Sequence, residues 1–183
     1  MNGHIGQVAA VSRDRRHRFS KSPEMLVRLV EGIGIEGDAH AGLTVQHRYD
    51  ARKDPGRPNL RQVHLFEAEE LDRLNQAGFA VGPGGIGENI TTRGLDLPAL
   101  PCGTLLRLGD TAVVEVTGLR DPCSLLDRLR PGLKAAVLGR DPMGGLRRRC
   151  GIMGIVRAGG DLRPGEPIVV DLPPRPHRPL AVV

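Results

Sequence analysis

Hydrophobic and polar positions alternate in short bursts along this chain, and glycine or proline separates most of the bursts. HIGQVAAVS alternates and predicts an opening strand, followed by the basic connector RDRRHRFSKSP. EMLVRLVEG predicts a second strand, because Gly32, Gly34 and Gly37 argue against a helix there. QHRYDARKDPGRP has charge, Pro and Gly but no period and predicts a loop. NLRQVHLF predicts a short strand running into the helix EAEELDRLNQAG. That helix puts Phe66, Leu71, Leu74 and Ala77 on one side, acids in its first turn and Gly78 at its C′ position.

Beyond the helix, FAVGPGGIGENITTRGLDL predicts a Gly-rich loop leading into a strand around residues 88–92. TLLRLGDTAVVEVTG predicts a hairpin about a Gly-Asp turn, and LLDRLRPGLKAAVLGRD two short helical pieces broken at Pro131-Gly132. CGIMGIVRAGGDLRPGEPIVVDL predicts strand, turn and strand, and PPRPHRPLAVV an extended surface tail. About seven short strands with two or three helices predict a mainly β, barrel-like domain. The organisation expected is one domain over residues 1–172 and a Pro-rich tail over 173–183, without repeats or a βαβ nucleotide fold.

Composition narrows this picture. A length of 183 residues suits a single core, and with aromatics at 2% that core must be aliphatic. The net charge of +5 suits an anionic small ligand or a nucleic acid, or does no more than keep a protein soluble, and the scarcity of stacking rings disfavours single-stranded nucleic acid. Neither a signal-peptide pattern nor an apolar run of membrane-spanning length occurs, so a soluble, cytoplasmic protein is expected, binding neither nucleic acid nor membrane. Three cysteines without a CxxC pair, and six scattered histidines, supply neither a disulfide framework nor a zinc ligand set.

Cys123, in TGLRDPCSLLDRL, is the thiol of most interest. A strand ending near Leu119 and a helix starting near Ser124 would make Asp121 the N-cap and place Cys123 at N2, beside Arg120 and the positive end of the dipole. The alternative, a small buried apolar residue, is left open by the local pattern. Cys102 and Cys150 read as structural, although three arginines precede Cys150. Asp38 and His40 in GIEGDAHAG would share a face on a strand, or else form a solvated Asx-type turn. GPGGIGENITTRG lacks the context of a nucleotide motif but could offer N–H groups to an anion. LRRRC reads as a solvated charge run or as a counter-charge for a phosphorylated cofactor.

GIEGDAHAG, RQVHLF with its helix, PGGIGENITTRGLDL, GTLLRLGDTAVVEVTGLRDPC and GIMGIVRAGGDLRPGEPIVV, in this order, resemble the MOSC domain, the C-terminal domain of molybdenum-cofactor sulfurases. The resemblance spans roughly Gly3 to Val170. It implies a β-barrel-like fold and molybdenum-cofactor chemistry, with Cys123 as the family's essential cysteine. One implied function is an enzyme that binds the molybdenum-pterin cofactor, ligates the metal through the Cys123 thiolate and reduces N-hydroxylated small molecules with electrons from a separate reductase. The other is a sulfur carrier that passes a Cys123 persulfide, received for instance from a cysteine desulfurase. Cofactor-binding residues implied are Lys21, Asp38, His40, Asn89, Arg93, Thr117, Arg120 and Arg147, with Lys21, Arg93, Arg120 and Arg147 as candidates for the phosphate. No pyridoxal phosphate site is expected, since the lyase domain of longer relatives is missing. Two positions depart from the family: Asp121 stands where Asn is frequent, and Cys150 where Ala or Gly is expected.

Overall fold

The computed structural model describes residues 5–140 and 142–183, apart from the side chains of residues 48–50. The initial segment through His4 lies outside the described residues. In chain order the strands are β1 (Ile5–Arg13), β2 (Ser22–Glu24), β3 (Val27–Val30), β4 (Gly34–Ile35), β5 (Val63–Glu67), β6 (Ile90–Arg93), β7 (Leu105–Leu108), β8 (Ala112–Leu119), β9 (Leu138–Arg140), β10 (Leu146–Arg148), β11 (Ile152–Ala158), β12 (Gly160–Leu162) and β13 (Pro167–Asp171). The helices are α1 (Arg48–Lys53), α2 (Ala68–Gln76), α3 (Leu125–Leu129) and α4 (Leu133–Ala136), with a 3-10 turn at Leu97–Ala99.

Seven strands pair in the order β13-β7-β8-β11-β5-β6-β1, and β1 returns to β13 through Ile5↔Val169, Gly6↔Ile168 and Gln7↔Pro167. This closes the barrel and leaves β2 as a short extension beyond β1. All pairs in the barrel are antiparallel except β5–β6. The two-residue period explains which side chains fill it. On β8, Ala112, Val114 and Val116 are buried while Val113, Glu115 and Thr117 are not, and Ile168 and Val170 repeat the rule on β13. These side chains and those of neighbouring strands form one aliphatic cluster. Burying each large one is worth about 1.5–3 kcal/mol.

Strand β5 is buried on both faces. Val63 and Leu65 enter the barrel, so His64 and Phe66 face outward. Phe66 joins a second cluster with Leu71 and Leu74 of α2, Leu126 of α3, Leu133 of α4 and the buried Cys150. The helices therefore cover one flank of the barrel, and His64 lies beside that cover rather than under it. No helix among the described residues is long and apolar enough to cross a membrane.

Several local expectations are corrected. The QHRYDARKDPGRP segment contains the short helix α1 instead of only a loop. The single strand expected in EMLVRLVEG is interrupted: β2 pairs with β1, whereas β3 pairs with β12 and β4. The second helical piece ends at Ala136, and the chain then forms a β9–β10 hairpin. Phe66 belongs to β5 and not to the helix, though Gly78 does terminate α2, donating its N–H to the Asn75 carbonyl with φ at +88°. The tail is largely exposed, as expected, and makes one parallel bridge with the end of β8: Leu119 donates to the Ala181 carbonyl at 2.8 Å and accepts from Val183 at 3.3 Å.

Candidate functional site

At the end of β8 the chain keeps to the ladder for one more residue, with Arg120 donating to the Gly151 carbonyl at 3.1 Å. It then leaves the sheet. A residue before proline is disfavoured in helical backbone, and Asp121 lies in neither strand nor helix, its carboxylate 2.9 Å from Arg148 Nε. Helix α3 starts later than expected: its N-cap is Ser124, whose side chain makes no capping bond. Asp121 is thus not the cap, and Cys123 lies before the helix instead of at N2. The Cys123 carbonyl accepts the first turn's bond from Leu126 at 3.2 Å, and its side chain is half-buried.

Cys123 borders a cavity of about 470 Å³. The 120–125 segment forms one wall, and the connector residues His17, Arg18, Phe19 and Lys21 form another. His40, His47, Arg61, His64, Asn89 and Met153 complete much of the rest. Of the three thiols, only Cys123 is on this cavity. Cys102 points to the Thr117 carbonyl at 3.5 Å, and Cys150 is sealed in the second cluster, where burial pushes its thiol pKa up.

Behind the cavity wall sits a buried ion pair. Lys21 Nζ lies 2.9 and 2.8 Å from the two carboxylate oxygens of Asp38, with side-chain exposures of 3% and 0%. Asp38 also accepts from the Asn89 amide at 3.0 Å, the Asp14 N–H at 3.2 Å and the His40 N–H at 2.9 Å. Burial by itself would raise this carboxyl, but His40 and Lys21 outweigh it and hold the group well below the usual carboxylate range. Burial pulls the Lys21 ammonium down, and its attraction to Asp38 opposes that pull. The 36–42 segment is a turn, so the Asx-type alternative describes Asp38 and His40, yet Asp38 is buried rather than solvated. His40 Nδ1 stands 3.3 Å from Asp38 Oδ1 without an aligned hydrogen bond, and its ring meets His17 edge-on at 5.3 Å. Burial lowers the His40 pKa.

Arg120 is aimed by two contacts, a 2.6 Å bond from Nη1 to the Ile86 carbonyl and a cation–π approach of 5.3 Å to the Phe19 ring. His64 Nε2 is 2.9 Å from the Cys150 carbonyl, which can only accept, so Nε2 carries the proton. Burial, then the charge of Arg120, push His64 well below its ordinary pKa, and backbone hydrogen bonding at Cys150 and Gly87 only partly resists.

The N–H groups of the Gly-rich loop are taken up from within, by the carboxyl group of its own Glu88. That carboxylate accepts from Gly84 N–H at 2.7 Å, Ile86 N–H at 3.1 Å and the Thr91 hydroxyl at 3.0 Å, while burial raises its pKa. The loop glycines serve close approach. At Gly84 a Cβ would strike the Lys21 carbonyl, and at Gly87 it would come within 2.5 Å of the Phe19 carbonyl; both residues have positive φ. The loop is thereby pressed onto the connector that carries Phe19 and Lys21.

Of the residues named from sequence, Cys123, Lys21, His40, Asn89 and Arg120 line the cavity, with Asp38 directly behind. Three others stand apart. The Thr117 hydroxyl donates to the Leu60 carbonyl at 2.6 Å, Arg93 pairs with Asp72 at 3.0 Å, and Arg147 approaches Asp96 at 3.7 Å. Arg18, Arg61 and His64 line the cavity and were not singled out from sequence. The phase of β5 carries a signal for His64, a polar residue on the outer face between the barrel-facing Val63 and Leu65. No group of three His, Cys, Asp or Glu side chains converges as a metal set among the described residues.

Comparison with known proteins agrees with this architecture. The MOSC domain family matches residues 37–169. No curated protein matches the chain significantly in sequence. Among solved structures, the YuaD protein of Bacillus subtilis superposes with a TM-score of 0.72 at 22% identity, covering 91% of this chain and 95% of that one. YiiM from Geobacillus stearothermophilus gives 0.63 at 19% identity, covering 91% and 75%. YiiM from Escherichia coli gives 0.59 at 19%, covering 94% and 73%. With the closed barrel, the thiol at its mouth and a family match across most of its length, the chain belongs to the MOSC domain family, whose association is with the molybdenum cofactor.

Proposed function

We propose that the cavity at the mouth of the barrel binds the molybdenum cofactor, that Cys123 is its protein ligand, and that the protein reduces N-hydroxylated small molecules there. The observation that carries this reading is the placement of the thiols: one of three borders the cavity, and it does so among cationic side chains. The donor set fits the group. A thiolate suits a soft metal already in sulfur coordination. Guanidinium groups such as Arg61 and Arg120 suit a phosphate. When bound, the cofactor supplies a metal centre that exchanges electron pairs with a substrate.

The chain's own contributions follow from the cavity walls. Arg120, aimed by Ile86 and Phe19, offers a fixed positive charge. Phe19, Val45 and Met153 keep water from part of the wall. The Lys21–Asp38–Asn89 network fixes the floor and leaves no net charge of its own there. Reduction of an N–OH group to N–H consumes two electrons and two protons and releases water; a separate reductase would supply the electrons.

The test is molybdenum content by elemental mass spectrometry on protein from a cofactor-producing host, wild type beside Cys123→Ser. Near-stoichiometric metal in the wild type and its loss in the variant is the expected result. A variant that keeps both metal and N-reductase activity would overturn the ligand role. Metal in neither protein, with a persulfide trapped at Cys123, would establish the sulfur-carrier alternative.

A further inference from the structure

Beside the cavity lies a second hollow of about 390 Å³, lined by Arg13, Asp14, Arg15, Arg16, Arg18, Ser22 and Glu24. Arg18 lines both, so the two spaces meet at its side chain. The charges in the hollow are unevenly spent. Arg13 Nε pairs with Glu24 at 3.1 Å and its Nη1 donates to the Glu36 carbonyl at 3.0 Å. Arg18 Nε pairs with Asp14 at 3.1 Å. Both acids of the hollow are thus engaged, and the guanidinium groups of Arg15 and Arg16 meet no carboxylate among the described residues.

These two arginines are exposed, but the backbone that carries them is fixed. Asp14 N–H donates to the buried Asp38 at 3.2 Å, Ala39 donates to the Asp14 carbonyl at 2.8 Å, and Arg16 N–H donates to Asp14 Oδ1 at 2.7 Å. Arg13 and Arg15 are gathered over the same turn: a Cβ at Gly37 would stand 3.2 Å from Arg13 Nη1 and 3.8 Å from Arg15 Nε. The fold therefore holds like charges together on an anchored segment at the lip of the cavity, an arrangement that a dianion relieves. Arginine forks match phosphate oxygens in geometry as well as charge.

We propose that this hollow is an anion subsite for the substrate, and that the substrate is a phosphomonoester whose uncharged body enters the cavity while its phosphate rests on Arg15 and Arg16. The proposal rests on the cavity being the reactive site, as argued above. The apolar and aromatic part of the wall, at Phe19, Val45, Leu125 and Met153, gives the body its surface. The cofactor's own phosphate would be met on the main cavity, where Arg61 and Arg120 stand.

The test is calorimetric titration of the purified protein at low ionic strength with two probes that differ by the phosphate alone, adenosine 5′-monophosphate and adenosine. The wild type should prefer the monophosphate by about tenfold or more, a preference that salt erodes. Arg15→Gln/Arg16→Gln should abolish the preference and keep its molybdenum content. Arg163→Gln/Arg178→Gln, which removes the same charge at two exposed positions elsewhere, should retain the preference. Equal binding of the two probes, absence of binding by both, or a preference that survives in Arg15→Gln/Arg16→Gln would each overturn the proposal. Loss of molybdenum from Arg15→Gln/Arg16→Gln would overturn it in favour of the cofactor's own phosphate. Because the readout is binding, a wild type without metal that still prefers the monophosphate would defeat the cofactor reading while leaving the subsite standing.

Discussion

Inside the barrel, Leu106, Val114, Ile152 and Ile168 are fully buried in one aliphatic cluster. A short distance away, Lys21, Asp38, Glu88 and Asn89 are nearly as inaccessible, and each is held by hydrogen bonds or charge. The aliphatic region is held by area, which is lost in proportion to what is removed. The polar region is held by mutual satisfaction, so removing one partner strands the other at a cost larger than the bond itself. The MOSC cavity is built against the second kind of region, where position is specified more sharply than stability requires.

The sharpest way to break this comparison is to remove one half of the ion pair. Asp38→Ala should cost about 3–5 kcal/mol by urea unfolding, and Lys21→Met with Asp38→Leu should recover only the share due to the stranded ammonium, since the donors of Asn89, Asp14 and His40 still lack an acceptor. A single variant no worse than a trimmed methyl group would show that the pair anchors nothing. In the barrel, Leu106→Ala should cost about 2–5 kcal/mol and Ile152→Val only about 0.5–1.5 kcal/mol, a graded response.

A third contrast concerns pH. Glu67, at the end of β5, has its pKa raised to about 7 by burial and then by Asp96 and nearby glutamates, from an ordinary 4.5. The unfolded chain therefore releases this proton well before the folded one does, and wild-type stability should fall as pH rises between those two values. Glu67→Gln should flatten that slope, by up to about 3 kcal/mol at the top of the range. An unchanged slope in the variant would move the effect to other groups. The smallest effect separates two thiols. Iodoacetamide should label Cys123 in the folded protein and Cys150 only on unfolding, and Cys123→Ser should leave stability within about 0.5 kcal/mol.

The sequence made legible whatever is decided locally. Alternation located the barrel strands of β8 and β13, and the apolar spacing with Gly78 located α2. The turn around Asp38 was one of two readings that its residues allow. Features decided by distant partners were not legible. Asp121 had every local attribute of an N-cap, but Arg148 claims its carboxylate from twenty-seven positions away. The N–H groups of the Gly-rich loop looked free for a ligand until Glu88 folded back on them. Arg93 and Arg147 carried the right charge for a phosphate, yet their strands direct them to Asp72 and Asp96. Arg18 and Arg61 reach one cavity because, within the closed barrel, β6 pairs with both β1 and β5 and so brings the connector to the start of β5.

That closure also sets a timetable. Ile5 pairs with Val169, so one edge of β1 finds its partner only after nearly the whole barrel has been synthesised. At typical rates of synthesis that edge waits roughly 10–30 s. From the pairing of β1 with β6 until β13 arrives, the nascent sheet is an open ribbon with two unpaired edges, the form most prone to join a neighbouring chain. How well these edges are kept apart from neighbouring chains during synthesis therefore bears on how much of this protein reaches the state in which Cys123 faces a cavity.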